Sequence, residues 1–247
     1  MIQKPRLVKN YLARIGMPRI LRNKTALVTG ATGGLGREIS HQLASAGCKL
    51  RLLGTNNKKL SNLENELGNS VIDTHEVNFL TNSWHTQLED VKDVDILVNN
   101  AGIFPVNSLL DTTFEEFENC YKINVLAPFI LTKIFSKGMI EKSWGRIINV
   151  GSSSAYAGFE NTGTYCSSKH ALLGFSRSMF KELRNTGVRV YSVSPGSIKT
   201  PMGKLVPNQD YDTFMNPTEI ADFMVKIMSY NSDMISEEIR LNRMIVQ

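Results

Sequence analysis

The sequence predicts a single three-layer α/β/α domain built on a doubly wound parallel sheet. Three observations carry that prediction. Short aliphatic and β-branched runs alternate with helical apolar stripes, a glycine-rich turn directly follows the first run, and 247 residues suffice to bury one full core. Strands joined through helices run parallel, and right-handed crossovers put the helices on both faces of their sheet.

The elements follow one another from Lys24 onward. Thr25-Ala-Leu-Val-Thr29 reads as a fully buried strand, and the helix after its glycine-rich turn aligns Leu35, Ile39 and Leu43 on one side. A strand near Lys49 to Leu53 leads to a helix carrying Leu60, Leu63 and Leu67, then a strand near Val71 to Val77. A short helix around Trp84 and Leu88 precedes the strand Asp95-Ile-Leu-Val98. Longer helices flank Arg146-Ile-Ile-Asn-Val150, and the stripe Phe114, Phe117, Tyr121 on the first of them is read as packing. A strand at Val188 to Val193, a helix from Pro217 and a short strand at Ile239 to Leu241 end the series. No repeat, low-complexity tract or linker divides this unit, so residues 24–247 form one domain behind a basic extension, residues 1–23.

Charge and composition exclude several classes of function. The net charge of +5 is concentrated at the start: Lys4, Arg6, Lys9, Arg14, Arg19, Arg22 and Lys24 all precede the first acid, Glu38. Without these seven, 21 basic residues face 23 acids, so the body of the chain is no nucleic-acid surface. The leader, with Leu7, Val8, Tyr11, Leu12 and Ile15 at helical spacing, reads as a targeting peptide, a membrane-surface helix, or a short extension packing on its own fold or a neighbouring subunit. The last is preferred, because Pro5 and Pro18 bracket only a short helix and the leader lacks Ser. The most apolar stretch, Ile123 to Thr132, falls short of the roughly 20 residues of a membrane span, so a soluble chain with no span is expected. Cys48, Cys120 and Cys166 are odd in number and form no Cys-x-x-Cys, which points to a reducing, cytoplasmic setting and to no metal site. The basic leader leaves an organelle-targeting role open.

Immediately after the first strand stands Thr29-Gly30-Ala31-Thr32-Gly33-Gly34-Leu35-Gly36. Glycines there let backbone N–H groups approach a pyrophosphate, and the next helix offers its positive end to that anion. This placement makes the sheet Rossmann-type and the turn a dinucleotide site. After the second strand comes Gly54-Thr55-Asn56, then Lys58 and Lys59, with no acid before Glu64. An acid would hold a ribose diol; without one there is room for a 2′-phosphate at Thr55, so NADP(H) is favoured over NAD(H). The two lysines also read as a solvated helix start.

Tyr165-Cys-Ser-Ser-Lys169 places a phenol and an ammonium on one side of a helix. A nearby cation favours the phenolate and lowers the tyrosine pKa, which suits proton exchange with a substrate oxygen. With Asn99-Asn100-Ala101-Gly102, Asn124, Ser152 thirteen residues before Tyr165, and Pro195-Gly196-Ser-Ile-Lys-Thr200, the pattern resembles the short-chain dehydrogenase/reductase family in its compact single-domain branch, from about Lys24 to Leu241.

The resemblance implies an NAD(P)-dependent oxidoreductase acting on a small-molecule carbonyl/alcohol pair. Tyr165 is then the acid-base, Lys169 its tuner and a binder of the nicotinamide ribose, Ser152 a hydrogen-bond donor to the reacting oxygen, and Asn124 a support for a proton path to Lys169. Gly30, Thr32, Gly33, Gly34, Leu35 and Gly36 would cradle the pyrophosphate, with Thr55, Asn78 and Phe79 on the adenosine side. Asn100, Ala101 and Gly102 would pack on its ribose, and Pro195, Gly196, Ile198 and Thr200 would meet the nicotinamide. Homodimers or homotetramers are expected, through the helices carrying Phe117 and Tyr165. The loop from Pro201 to Asn216, with Met202, Leu205, Val206, Tyr211 and Phe214, suits a lid over a partly apolar ligand.

Several positions depart from the family. Ser153 and Ser154 adjoin Ser152, which is chosen by spacing. Gly33 stands where NADP-preferring relatives often carry a basic residue, so NAD(H) stays open, and Asn78 replaces a common Asp. Many 3-oxoacyl-(acyl-carrier-protein) reductases end in a strand and Asp-Gly-Gly, whereas this chain reads Asn242-Arg243-Met244; that activity is therefore an alternative. Another is a regulatory protein that binds the dinucleotide without turnover. A nucleotide-sugar epimerase is disfavoured, since about 50 residues after Gly196 are too few for a substrate domain. His41, His75, His85 and His170 show no ligand spacing, and Tyr156, with Glu160 four residues on, is a pocket or core residue beside Phe104 and Phe159.

Overall fold

The computed structural model describes residues 19–231 and 233–244. Residues 1–18, most of the basic leader, lie outside the described residues, as do the readings offered for them. Strands β1 (Thr25–Thr29), β2 (Lys49–Gly54), β3 (Val71–Glu76) and β4 (Ile96–Asn99) alternate with α1 (Gly34–Ser45) and α2 (Asn57–Leu67). Then come α3 (Phe114–Tyr121), α4 (Ala127–Glu141), β5 (Gly145–Val150), α5 (Gly163–Leu183), β6 (Val188–Pro195), α6 (Pro217–Ser229) and β7 (Glu238–Leu241).

All seven strands are parallel, in the order β3-β2-β1-β4-β5-β6-β7. The winding reverses between β1 and β4, which opens a crevice at the carboxyl ends of these strands. Strand alternation splits the core in two: Ala26 and Val28 of β1 belong to one layer and Leu27 to the other. Leu35, Ile39 and Leu43 of α1, Leu60 and Leu63 of α2, and Ile220, Met224 and Met228 of α6 cover the first face. Ala127, Leu131, Phe135 and Met139 of α4, with Leu183 of α5, cover the second. The doubly wound, three-layer fold expected from the sequence is what forms.

Leu21, at the end of the basic extension, is fully buried in the first layer, and Cys48 Sγ hydrogen-bonds its carbonyl at 3.3 Å. Three local readings change. The segment at Trp84–Leu88 is a 3₁₀ helix. The stripe Phe114, Phe117, Tyr121 is not packed inward: Phe114 is 92% exposed, and Phe117 is 44% exposed and stacked on Tyr121. The buried residue of α3 is Cys120; helical spacing tells which residues share a side, but not which side the fold covers. Finally, Phe114–Glu141 is one continuous helical run of 28 residues containing an 18-residue window of mean hydropathy 1.4, so by length and composition it passes for a membrane span, contrary to expectation. Its apolar residues Ala127, Leu131, Phe135 and Met139 are spent on the sheet, as in a core helix.

Arg146 is a fully buried charge on β5. It donates to the Met228 carbonyl at the end of α6 at 3.0 Å, to Gly145 and Tyr230 carbonyls at 2.8 and 3.3 Å, and to Asn231 Oδ1 at 3.0 Å. Trp144 lies under the guanidinium at 4.3 Å. Burial pulls its pKa down to about 10, and carbonyl dipoles at the negative end of a helix offset the desolvation.

Candidate active site

The crevice is a cleft of about 470 Å³, within the range that holds small ligands. Its floor is the glycine-rich turn. Gly30 takes φ +59°, a left-handed conformation that a side chain disfavours, and a Cβ on Gly36 would lie 2.1 Å from the Gly30 carbonyl oxygen. Gly33 caps α1 with no side-chain hydrogen bond, so the first N–H groups of the helix remain available to an anion. A cradle that side chains would fill, opening on helix N–H groups, fits a dinucleotide pyrophosphate. Behind it, Thr29 Oγ1 accepts from the Asn100 and Ala101 N–H groups at 3.0 and 2.9 Å, and Asn100 Nδ2 donates to the Thr29 and Gly30 carbonyls. This lattice ties the end of β4 to the turn.

At one end of the cleft lie Gly54, Thr55 and Lys59, with Asn78 and Phe79 across from them. Asn56 caps α2 by accepting from Lys59 N–H at 2.9 Å, which turns the first coil of that helix, and Lys59 with it, to the cleft. Asn78 Oδ1 is occupied by Leu80 N–H at 3.0 Å, leaving its amide NH₂ free to donate. Phe79 is buried and meets Trp84 edge-on at 4.6 Å.

At the other end, α5 brings Tyr165 and Lys169 to the cleft one turn apart, both buried, with Ser152 facing them from the end of β5. Lys169 Nζ donates to the Val150 carbonyl at 2.8 Å and stands 5.7 Å from the phenol ring centroid. Phe104 closes on Tyr165 edge-to-face at 4.6 Å. Ser152 Oγ accepts from Ser154 N–H at 3.1 Å, so its own proton is free to donate, while Ser154 is buried outside the cleft lining.

The expected lowering of the Tyr165 pKa does not appear. Burial pushes the phenol up to about 12, against which hydrogen bonding from Ser152 acts, and burial brings Lys169 down to about 8. The ammonium spends its hydrogen bond on Val150, and desolvation governs the phenol.

Most of the expected site residues meet in this cleft: the turn from Gly30 to Gly36 apart from Ala31, Thr55, Asn78, Phe79, Asn100, Ala101, Gly102, Ser152, Tyr165, Lys169, Pro195, Ile198 and Thr200. Gly196 does not line it; its N–H donates to the Leu241 carbonyl at 2.9 Å and extends the β6–β7 pairing. Asn124 is fully buried behind the cleft in a π-helical turn, Lys122–Leu126. Its Oδ1 accepts from Ile103 N–H at 3.0 Å, and its Nδ2 contacts the Ile103 carbonyl, Ser168 Oγ and Cys120 Sγ at 3.0, 3.0 and 3.3 Å. Its amide thereby holds the main chain at Ile103, just past Gly102. Sequence reasoning missed Leu53, Val77, Ile103, Ile123, Val150 and Gly151 as lining residues, and left Lys59 open between the cleft and a solvated helix start. The rule that ligands gather at strand carboxyl ends points to Val150 and Gly151. Tyr156 turns away, with Arg240 over its ring at 4.2 Å.

A family model described as short chain dehydrogenase matches residues 24–210. The chain belongs to the short-chain dehydrogenase family. This short-chain dehydrogenase is 32% identical over 236 residues to a 3-oxoacyl-(acyl-carrier-protein) reductase of Aquifex aeolicus, covering 89% of this chain and 95% of that one. A reductase of the same name from Rickettsia typhi is 38% identical over 181 residues, 72% and 74% of the two chains. Among solved structures, a short chain dehydrogenase/reductase family protein superposes with a TM-score of 0.81 at 28% identity, over 90% and 97% of the chains. A metagenomic short-chain oxidoreductase in complex with NADP gives 0.77 at 27% identity, over 91% and 99%. The protein is thus an NAD(P)-dependent oxidoreductase with a small-molecule substrate, of a family whose members are typically oligomeric. The regulatory reading without turnover is set aside.

Proposed function

We propose that this short-chain dehydrogenase reduces a carbonyl compound to an alcohol, and runs the reverse, with Tyr165 as proton donor and NADP(H) as preferred cofactor. The observation that carries this is the meeting of Tyr165, Lys169 and Ser152 at one end of a glycine-cradled cleft. The bound dinucleotide supplies or accepts the hydride. Tyr165, with its pKa raised, keeps its proton at neutral pH and delivers it from Oη to the carbonyl oxygen. Ser152 Oγ–H donates to the same oxygen and stabilises the charge that builds there. Lys169 stands by to offset the phenolate left behind, and Phe104 keeps water from the phenol.

The preference for NADP(H) is supported by Thr55 and Lys59 on the cleft and by the lack of an acid before Glu64. In this reading Lys59 meets the 2′-phosphate. A dimer or tetramer is supported by the exposed aromatic side of α3, α4 and α5, where Phe117, Phe129 and Phe175 border a shallow apolar groove. The three buried free cysteines suit a reducing, cytoplasmic setting. A second reading, 3-oxoacyl-(acyl-carrier-protein) reductase, is favoured by the names of the Aquifex and Rickettsia relatives. Following NADPH absorbance with a panel of small ketones and a 3-oxoacyl thioester tests both. Turnover of ketones supports the first reading, turnover of the thioester alone supports the second, and oxidation of NADPH by none of them contradicts both.

A further inference from the structure

The loop that closes the cleft is held from behind by a residue near the end of the described chain. Residues 197–216 leave β6 and return on themselves: Ile198 pairs with Met215, Lys199 N–H donates to the Met215 carbonyl at 2.9 Å, and Met215 N–H to Ser197 at 3.0 Å. Within the loop, Ile198, Thr200, Pro201 and Met202 line the cleft, and Tyr211 Oη donates to the Thr200 carbonyl at 3.4 Å.

On the far side stands Arg243, two residues past β7. One arm of its guanidinium donates to Thr213 Oγ1 at 2.8 Å and the other to Gln209 Oε1 at 2.7 Å, while its carbon lies 5.1 Å from the centroid of the buried Phe214 ring. Gln209 Oε1 also accepts from Ser197 Oγ at 2.9 Å, so a single fork gathers both limbs of the loop. Among the described residues no carboxylate lies within 4.0 Å of Arg243, so its hydrogen bonds go to neutral groups of this loop. The base of the fork is firm. β7 pairs with β6 from Glu238 to Leu241, and Glu238 accepts from Arg177 Nε and Nη2 at 2.7 and 2.9 Å.

We infer that Arg243 is a positioning residue that clamps the 197–216 loop, holding Thr200 and Met202 against the cleft and so setting cofactor affinity without touching the cofactor. A planar fork with fixed donors holds two acceptors at a smaller entropic cost than a lysine would. A loop of this length with little secondary structure of its own opens readily unless tied. The inference rests on the reading of the cleft as the dinucleotide site.

The test uses the full-length protein and the variants Arg243→Ala, Arg243→Lys, Gln209→Ala and the double variant Arg243→Ala with Gln209→Ala. Trypsin cleavage after Lys204, measured without cofactor, reads loop opening; NADPH KM and kcat read its consequence. Arg243→Ala is expected to raise both the cleavage rate and KM roughly tenfold, with kcat within about twofold of the parent. Arg243→Lys should recover part of the loss, and the double variant should be no worse than the more affected single variant. Parental cleavage and KM in Arg243→Ala, or effects of the two substitutions that multiply independently, would overturn the clamp. A general weakening of the fold would lower the melting temperature and leave KM unchanged, which also counts against it. A parent that binds no dinucleotide sinks the reading of the cleft instead, while the cleavage measurement still judges the clamp.

Discussion

Replacing Lys59 by alanine separates the two nicotinamide cofactors. The residue stands in the first turn of α2, its N–H held by Asn56 at 2.9 Å and its side chain along the cleft beside Thr55. A pair of unit charges about 4 Å apart is worth roughly 1 kcal/mol in water and about 4 kcal/mol at a protein surface. Lys59 is exposed, so solvent screening holds the value to the low end even against a phosphate of nearly two charges. A loss of about 1–2 kcal/mol follows, or roughly 5–30-fold in affinity. Fluorescence titration of parent and variant with NADPH and NADH, at low and high salt, checks it. NADPH should weaken by that factor with a smaller salt dependence, and NADH should change by less than about twofold. Equal weakening of both cofactors, or a parent that prefers NADH, would refute the reasoning.

Three further outcomes are expected. Gly36→Ala puts a Cβ 2.1 Å from the Gly30 oxygen and 2.6 Å from Asn100 Nδ2, so it should cost about 1–3 kcal/mol in a thermal melt and abolish binding of both cofactors; parental affinity would contradict the cradle. Carbonyl reduction should be level from about pH 6 to 7.5 and fall above about 8, because the phenol keeps its proton far beyond that pH while Lys169 loses the charge that offsets a phenolate. A kcat profile that instead climbs through pH 9 would count against these roles. Arg146→Ala leaves buried carbonyls of Gly145 and Met228 without their donor and should cost about 3 kcal/mol, a fall of roughly 6–12 °C in melting temperature; calorimetry showing no change would deny its bracing role.

What the sequence disclosed depended on how local the physics was. The turn from Gly30 to Gly36 and the pair Tyr165 and Lys169 are written within seven and five consecutive residues, where backbone geometry alone fixes the neighbours, so both were legible. Lys59 was harder to read, because only the cap at Asn56 and the path of β2 decide whether a helix start faces solvent or a cleft. Gly196 adjoins lining residues in sequence, yet its N–H belongs to β7. Phe114, Phe117 and Tyr121 share a helical side, and periodicity could not reveal that the fold leaves it uncovered. The protonation states of Tyr165 and Lys169 also escaped prediction. Spacing sets their separation, but burial, contributed by residues such as Phe104 and Val150 about 60 and 20 positions away in the chain, sets the direction of both pKa shifts.

The central claim is that the Tyr165 hydroxyl delivers the proton beside the cradle. Single-turnover stopped-flow of Tyr165→Phe, with NADPH bound and a ketone that the parent reduces, measures it directly. The account predicts cofactor affinity within about twofold of the parent and hydride transfer slowed by roughly 10²–10⁴. Transfer at the parental rate, with the cofactor equally bound, would contradict it.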